Sequence, residues 1–239
     1  MPRPCGAAGR TADTREHMPD FVVDFDAGDP PADARLDAEA FHRNHAPIWS
    51  VIAPLVQDRG GDALEVGSGT GQHVVEFARR SPAVTWWSSD LDPRHLASIA
   101  AWRAHARLAN LRAPLRIDLA ERDWDTKMSG PPPRDLLAVL CINVLHIAPW
   151  RVSGHLLAGA ARQLRPDGRL FVYGPFKVDG AHTAPSNARF DASLRAHDPD
   201  WGVRDTRDLS AIARESGLRL AEIVTMPANN VTLAFTPIG

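Results

Sequence analysis

The sequence predicts an α/β fold in which a mostly parallel, Rossmann-like sheet is flanked by helices. Three observations lead to this prediction. From residue 39 onward, short apolar runs alternate with segments of helical periodicity, which is the pattern of parallel strands joined by helices. A glycine-rich turn at 67–71 joins the first apolar run to a helical segment. The run Leu136–Ile142 is apolar throughout, which is typical of a central parallel strand buried on both faces.

The chain of 239 residues is long enough for one large α/β domain with an extension. Residues 1–38 are rich in Pro, Gly, Asp, Ala and Arg and have no sustained period, apart from an apolar patch at 21–23. Such a segment buries too little apolar surface to fold by itself. We therefore predict a mostly disordered extension over 1–38 and a single domain over 39–239.

Charge and cysteine content disfavour several classes of protein. The 27 basic and 29 acidic residues give a formal net charge of -2, so no overall positive field exists to hold a nucleic acid. Cys5 and Cys141 lie in unrelated contexts, without the spacing of metal ligands or of a disulfide framework. The N-terminus lacks a secretory signal, and no segment reaches the roughly 20 apolar residues of a membrane span. We expect a cytoplasmic protein without a metal, a membrane anchor or a nucleic-acid partner.

The sequence predicts that helices and strands alternate through the first half of the domain. Apolar residues in 39–56 recur with a period near 3.6, which predicts a helix, and Pro47 and Pro54 are expected to break it into pieces. A strand at 63–66, the glycine turn and a helix at 72–80 form a β-turn-α unit. The alternation then repeats with a strand at 84–88, a helix at 93–108 and a strand at 114–117.

The second half continues the alternation and ends differently. After Leu136–Ile142, the sequence predicts a helix at 151–164, a strand at 169–173 and helices at 187–196 and 206–215. The segment 175–189 is expected to form a loop or lid between strand and helix. The last two predicted strands, 218–225 and 230–235, are close enough in sequence to form a hairpin. They would give the sheet one antiparallel edge.

Gly67, Gly69 and Gly71 alternate along the turn between the first strand and its helix. Without side chains, such positions allow positive φ and bring backbone N–H groups close to a ligand at the helix N-terminus. A tight turn without a ligand is the alternative. The dinucleotide fingerprint G-x-G-x-x-G requires a third glycine where this chain has Gln72, so NAD or FAD is the weaker interpretation.

Four carboxylates lie where they could meet a ligand. Asp90 ends the second strand about 20 positions after the turn, where a carboxylate is expected to accept from ribose hydroxyls. Asp92 could substitute for it, but it is also placed to cap the following helix. Asp118 ends the third strand, where it could accept from an adenine amino group with Leu119 on the ring, or could serve only the turn. The fourth, Glu65, lies two residues before the turn, where it requires a cation or a hydrogen-bond donor, or braces the turn itself.

Several blocks of sequence together carry a family resemblance: Arg43–Asn44 with Pro47–Ile48, Leu64–His73, Ser89–Asp92, Cys141–Val144 with His146, Tyr173–Phe176, Ser186–Asn187 with Phe190–Asp191, Trp201–Asp205 and Met226–Asn230. Over about residues 40–236 the chain resembles the methyltransferase-like 26 family, also described as a domain of unknown function with a methyltransferase fold. The resemblance implies a seven-stranded class I methyltransferase sheet with S-adenosylmethionine as its cofactor. It does not include the N-terminal extension.

The resemblance also implies where the cofactor would lie. It places the methionine end near Glu65, Gly67, Ser68, Gly69 and Gly71, the ribose near Asp90, the adenine near Asp118 and Leu119, and the methyl group near Cys141 and Asn143. Polar residues shared with the family are candidates for binding a small substrate: Asn44, Asn187, Arg204 and Asn229.

Two side chains are candidate catalytic bases, because ligands of open α/β sheets bind beyond the carboxyl ends of the strands. His146 follows the apolar strand 136–142, and an unperturbed imidazole has a pKa near neutrality. Tyr173, the only tyrosine of the chain, ends the next strand. Either could accept a proton from the methylated atom. The alternatives are that His146 caps the following helix and that Tyr173 bonds to a loop.

The sequence therefore favours an S-adenosylmethionine-dependent methyltransferase that acts on an unidentified small molecule. A second hypothesis is a regulatory protein that binds S-adenosylmethionine or S-adenosylhomocysteine without turnover, since a fold alone does not imply chemistry. An NAD(P)-dependent oxidoreductase is opposed by Gln72 and by the lack of a recognisable set of hydride-transfer residues. The sequence does not indicate the methyl acceptor or the oligomeric state.

Overall fold

The computed structural model describes residues 33–130 and 133–239. Its first half contains α1 (Glu39–Val56), β1 (Gly61–Val66), α2 (Gln72–Arg80), β2 (Val84–Asp90), α3 (Pro93–Ala106) and β3 (Leu115–Arg116). Its second half contains β4 (Leu136–Ile142), a 3-10 turn (Leu145–Ile147), α4 (Trp150–Gln163), β5 (Leu164–Gly174), β6 (Phe176–Val178), β7 (Ala181–His182), α5 (Pro185–His197), β8 (Arg204–Asp205), α6 (Thr206–Glu215), β9 (Leu218–Thr225), a second 3-10 turn (Pro227–Asn229) and β10 (Val231–Pro237).

The main sheet has seven strands in the order β3-β2-β1-β4-β5-β10-β9. β1 pairs in parallel with both β2 and β4, so the order along the chain changes direction at the centre of the sheet. β10 runs antiparallel to both β5 and β9, which places the reversed strand one position inside the edge. This arrangement confirms the predicted Rossmann-like class I sheet with seven mostly parallel strands and an antiparallel pair at one edge. Its crevice is expected beyond the carboxyl ends of β1 and β4.

An apolar cluster covers each face of this sheet. One cluster joins the sheet to α1 and α2 through Ile48, Ile52 and Phe77. The other joins it to α4 and α6 through Leu156 and Leu209. All seven residues of β4 are buried between the two clusters, which explains why its sequence is apolar throughout.

The helix α1 is continuous over 18 residues, although Pro47 and Pro54 both lie inside it. The predicted break at these prolines is therefore wrong. Each internal proline costs roughly 3 kcal/mol or more. Burial of Ile48, Ile52 and Val56 offsets this cost, because each apolar side chain removed from water contributes about 1.5–3 kcal/mol. Tertiary packing thus outweighs local propensity here.

Residues 33–38, which the sequence analysis placed in the extension, are bound to the domain. The Leu36 N–H donates to Ser98 Oγ at 2.9 Å, and its carbonyl accepts from Trp102 Nε1 at 2.8 Å. The Ala38 N–H donates to Gln72 Oε1 at 2.8 Å. The boundary predicted at residue 38 is therefore too late. The rest of the predicted disordered extension, with its apolar patch at 21–23, lies outside the described residues.

A second sheet contains three short strands in the order β7-β6-β8. β6 and β7 lie in the segment 175–189, where the sequence predicted only a loop or lid, and β8 lies between the two helices predicted after it. β6 pairs antiparallel with β7 and parallel with β8. Strands of two or three residues are too short to produce a recognisable period. We refer to residues 176–205, which include these strands and α5, as the cap. The cap begins immediately after the carboxyl end of β5 and therefore adjoins the predicted crevice.

Candidate functional site

The three glycines of the turn all adopt positive φ, of 64° at Gly67, 55° at Gly69 and 88° at Gly71. An added Cβ at Gly67 would lie 2.6 Å from Val144 Cγ2, and one at Gly71 would lie 2.9 Å from the Cα of Ile99. At Gly69 an added Cβ would have no heavy atom within 4 Å. Gly67 and Gly71 are therefore required by internal packing, whereas Gly69 has open space beside it that a ligand can occupy.

Asp90 is attached directly to this turn. Its Oδ2 accepts from the Gly69 N–H at 2.9 Å and its Oδ1 accepts from the Asp92 N–H at 3.0 Å. His95 Nδ1 lies 3.2 Å from Oδ1, and this hydrogen bond is the main cause of the raised pKa of His95. A carboxylate has about four acceptor positions, so Asp90 retains capacity for a further donor. Leu91, which follows Asp90 at the same edge, has an exposed apolar side chain that no pattern in the sequence indicated.

Asp92 caps α3, as its alternative interpretation expected. Its Oδ1 accepts from the Arg94 N–H at 2.8 Å, which satisfies one of the free donors of the first helical turn. Asp118 has a similar local role, because its Oδ1 accepts from the Ala120 N–H at 2.8 Å. Leu119 is buried in the apolar cluster on the α4 face. The structure thus gives Asp118 a turn contact and gives Leu119 a packing contact.

Glu65 is a buried carboxyl group beneath the turn. It is 1% exposed, and its Oε2 has no hydrogen-bond partner among the described residues. Burial raises the pKa of Glu65 to about 8, and the charge of Asp90 acts in the same direction. Hydrogen bonds from Ser68 and the Val74 backbone oppose this rise. A buried acceptor without a donor costs free energy, so Glu65 is poised to take a donor or a cation from a ligand.

The carboxyl end of β4 is closed by backbone contacts. Cys141 is buried, and burial raises the pKa of its thiol. Asn143 adopts a positive φ of 58°, and its N–H donates to the Tyr173 carbonyl at 2.9 Å. This contact joins the end of β4 to the end of β5. Neither Cys141 nor Asn143 carries a charge at neutral pH, so this part of the edge is uncharged.

His146 differs from the expectation of a near-neutral imidazole. The side chain is 3% exposed, and burial together with the nearby charge of Arg204 lowers the pKa of His146 to about 3. Phe190 of the cap contacts the ring edge-on at a centroid distance of 5.5 Å. An added Cβ at Gly174 would lie 3.4 Å from His146 Nδ1. His146 is therefore a weak base packed between β5 and the cap, because an imidazolium cannot be hydrated there.

Tyr173 precedes Gly174 in β5 and therefore points to the opposite face of the sheet from His146. Its hydroxyl oxygen accepts from Asn230 Nδ2 at 3.1 Å. Burial raises the pKa of Tyr173, and hydrogen bonding to Asn230 and Asn44 opposes that rise. The structure does not bring the two predicted bases into one cluster.

The predicted substrate residues fall into different places. Arg204 is buried and donates to three backbone carbonyls, those of Leu145 (3.0 Å), Ala148 and Asp200 (2.8 Å). It fastens the cap to the loop after β4. Asn187 donates to the Asn229 carbonyl at 2.8 Å, which fastens α5 to the turn before β10.

Asn44, in contrast, lies near Tyr173 and lowers the pKa of its hydroxyl. Two further residues of this region were not predicted from the sequence: His73, whose Nε2 lies 2.7 Å from Asn44 Oδ1, and Asn230, which donates to Tyr173. Both belong to the blocks that carry the family resemblance, and that was the only signal that could have indicated them.

The chain belongs to the family described as a protein of unknown function (DUF938), whose model matches residues 35–237. Among curated proteins, it is 28% identical over 177 residues to a release factor glutamine methyltransferase of Gloeobacter violaceus, with 65% of this chain and 57% of that protein covered. The chain therefore spans little more than half of this relative.

Solved structures share the fold. An O-methyltransferase family protein from Burkholderia thailandensis superposes with a TM-score of 0.69 at 18% identity, covering 83% of this chain and 57% of that chain. An O-methyltransferase family 2 protein from Planctomyces limnophilus, in complex with apigenin, superposes with a TM-score of 0.66 at 18% identity, covering 80% and 56%. A methyltransferase of calicheamicin biosynthesis with bound S-adenosylhomocysteine gives a TM-score of 0.61 at 17% identity, covering 80% and 54%.

Proposed function

We propose that this protein is an S-adenosylmethionine-dependent methyltransferase that acts on a small molecule. The observation that carries the proposal is the pairing of a buried carboxyl group, Glu65, with a glycine turn that is open at Gly69. An ammonium group would supply the donor that Glu65 Oε2 lacks. S-adenosylmethionine carries such a group, and its sulfonium supplies an electrophilic methyl group. The class I order of the sheet supports the same cofactor.

Each residue predicted from the sequence has a proposed role in binding the cofactor or the methyl acceptor. Glu65 would bind the ammonium end, and the turn that contains Gly67, Ser68, Gly69 and Gly71 would lie against the methionine end. Asp90 would accept from the ribose hydroxyls. The remaining predicted contacts are those of Asp118 and Leu119 with the adenine, of Cys141 and Asn143 near the methyl group, and of His146, Tyr173, Asn44, Asn187, Arg204 and Asn229 with the acceptor.

Of the acceptor contacts, that of Tyr173 has the best support, because its hydroxyl oxygen accepts from Asn230 and its proton is still available to donate. Arg204 and Asn187, in contrast, already donate to backbone carbonyls of the protein. We also propose that the chain belongs to the methyltransferase-like 26 family and that the protein is cytoplasmic. No helix in the described ranges has the length and apolarity that crossing a membrane requires.

A binding protein without turnover is favoured by one observation, the burial of both candidate bases. Methyl transfer can proceed by alignment alone when the acceptor atom is already nucleophilic, so this burial does not oppose catalysis. Incubating the pure protein with methyl-labelled S-adenosylmethionine and a metabolite extract separates the two functions. Labelled product supports the enzyme, and binding without labelled product supports the regulatory protein.

We predict that S-adenosylhomocysteine binds and NAD does not. Isothermal calorimetry measures the affinity, and a thermal melt measures the linked stabilisation. At a ligand concentration of 100 times the Kd, one site contributes about 2.7 kcal/mol to the free energy of unfolding. Tighter binding of NAD than of S-adenosylhomocysteine would contradict the cofactor assignment.

Asp90→Ala and Asp92→Ala are a matched pair of carboxylate deletions two residues apart. Asp90→Ala is expected to weaken S-adenosylhomocysteine binding by roughly 1–3 kcal/mol, because hydrogen bonds between a carboxylate and ribose hydroxyls are lost. Asp92→Ala is expected to lose only its helix cap, about 1 kcal/mol of stability, with the Kd unchanged. An unaltered Kd for the Asp90 variant together with a weaker Kd for the Asp92 variant would reverse the assignment.

A further inference from the structure

A buried row of polar side chains leads from the glycine turn to the carboxyl end of β5. It begins at His73, the second residue of α2, and continues through Asn44 of α1 to Tyr173 and then Asn230. His73 Nε2 lies 2.7 Å from Asn44 Oδ1, and Asn230 Nδ2 donates to the Tyr173 hydroxyl at 3.1 Å. His73, Asn44 and Tyr173 are each at most 9% exposed. This row connects the proposed cofactor turn to a proposed acceptor contact.

The row fixes which atoms donate and which accept. Burial lowers the pKa of His73 to about 3, so the ring is neutral at physiological pH and carries a single N–H. Because Asn44 Oδ1 faces His73 Nε2, that nitrogen is the donor, and the amide nitrogen of Asn44 is not used by His73. Asn230 Nδ2 donates to the phenol oxygen, and the Asn44 amide lowers the pKa of Tyr173 in the same direction. A phenol oxygen has two lone pairs, so the O–H proton of Tyr173 is left to donate.

We propose that Tyr173 is a hydrogen-bond donor to the methyl acceptor, and that His73 and Asn44 are positioning residues that hold it in this role. This inference rests on the proposed methyltransferase function. It specifies an acceptor that carries an oxygen or nitrogen lone pair, such as a carbonyl or carboxylate, beside the atom that is methylated. Tyr173 keeps its proton throughout, and a proton lost by the methylated atom leaves to solvent.

The pKa of Tyr173 reports on the groups that face its hydroxyl, so the proposed hydrogen bonds can be tested by measuring it. From α1, the charge of Arg43 lowers the pKa of Tyr173, as does the amide of Asn44. From the residue before β10, Asn230 contributes an uncharged amide. Because Tyr173 is the only tyrosine of the chain, the phenolate absorbance of the whole protein reports on this side chain alone. An absorbance titration therefore needs no known acceptor.

The test is this titration on the full chain and its variants. Asn44→Leu and Asn230→Leu each remove an N–H donor. Each should raise the pH midpoint of the Tyr173 phenol titration by about one pH unit. His73→Leu should act in the same direction through Asn44, whereas His73→Gln, which can retain an N–H near the same place, should restore the wild-type midpoint. Asn110→Leu is the control, because the Asn110 amide donates to carbonyls of Ala78, Ser81 and Val84, away from Tyr173.

Wild-type midpoints in both Asn44→Leu and Asn230→Leu would overturn the inference, as would equal midpoints for the two His73 variants. If alkaline pH unfolds a variant, fluorotyrosine in place of Tyr173 gives one fluorine NMR signal that titrates at lower pH, and the same comparison applies. Calorimetry with S-adenosylhomocysteine separates this inference from the proposed function. Failure of the wild type to bind counts against the function, whereas binding with unshifted midpoints counts against the role of Tyr173 alone.

Discussion

Replacing Gly69 by valine is expected to abolish S-adenosylhomocysteine binding while the domain remains folded. The φ of 55° costs a non-glycine residue roughly 1–2 kcal/mol, which a domain of this size can tolerate. The new side chain would enter the open space beside the turn rather than the protein interior. Calorimetry measures the loss of binding, and circular dichroism measures the retained fold. Gly69→Asn is a second variant at this position with less backbone strain, because asparagine tolerates positive φ better than valine.

The matched control is Gly71→Ala, which adds a smaller group two positions away. Its Cβ would lie 2.9 Å from the Ile99 backbone, at a φ of 88°. Strain of about 1–2 kcal/mol and overpacking of about 1–3 kcal/mol should lower its free energy of unfolding by roughly 2–5 kcal/mol. Normal ligand affinity in Gly69→Val, with stability equal to that of Gly71→Ala, would show that Gly69 has only a structural role.

Replacing Glu65 by glutamine is expected to raise stability at alkaline pH and to abolish ligand binding. The folded protein holds the Glu65 proton up to about pH 8, whereas the ordinary value is 4.5. Between these values the folded state binds more protons than the unfolded state, so the free energy of unfolding falls as the pH rises. The loss is complete above pH 8 and is on the order of several kcal/mol. Glu65→Gln lacks this proton and should not show the decline.

Ligand binding should show the opposite dependence on pH. An ammonium group binds the ionised carboxylate, so affinity for S-adenosylhomocysteine should increase as the pH rises toward 8, by up to about tenfold per pH unit. Calorimetry in two buffers with different ionisation enthalpies should detect about one proton released on binding below pH 8. Glu65→Asp, which keeps the charge on a shorter side chain, is the control for charge. Affinity that is independent of pH in the wild type would exclude Glu65 from the cation site.

The variants of Gly69, Gly71 and Glu65 distinguish residues that stabilise the fold from residues that bind the ligand. Packing inside the protein explains why Gly67 and Gly71 are glycines. It does not explain the open space beside Gly69 or the missing hydrogen-bond donor at Glu65 Oε2. A residue whose geometry is costly to the free protein is a candidate for function, because a ligand can offset that cost. These variants therefore test the cofactor site without a known acceptor.

Much of the fold could be predicted because its signals are local. The helix Gln72–Arg80, the strand Leu136–Ile142 and the hairpin strand Leu218–Thr225 have the predicted bounds, since periodicity and glycine turns act within a few residues. The candidate cofactor residues follow from the same local rule, because a turn after β1 and an aspartate at the end of β2 are brought to one edge by any parallel sheet. The short strands of the cap escaped detection because their pairing is not local.

The sequence by itself determined the order of helices and strands along the main sheet, the glycine turn and the carboxylates beside it. Tertiary structure alone decided the rest. Packing keeps α1 continuous through Pro47 and Pro54, which local propensity opposes. Burial beside Arg204 makes His146 a weak base, although an imidazole in water titrates near neutrality. The contacts that link His73, Asn44 and Tyr173 join three elements distant in sequence, and only the folded chain brings their donors and acceptors together.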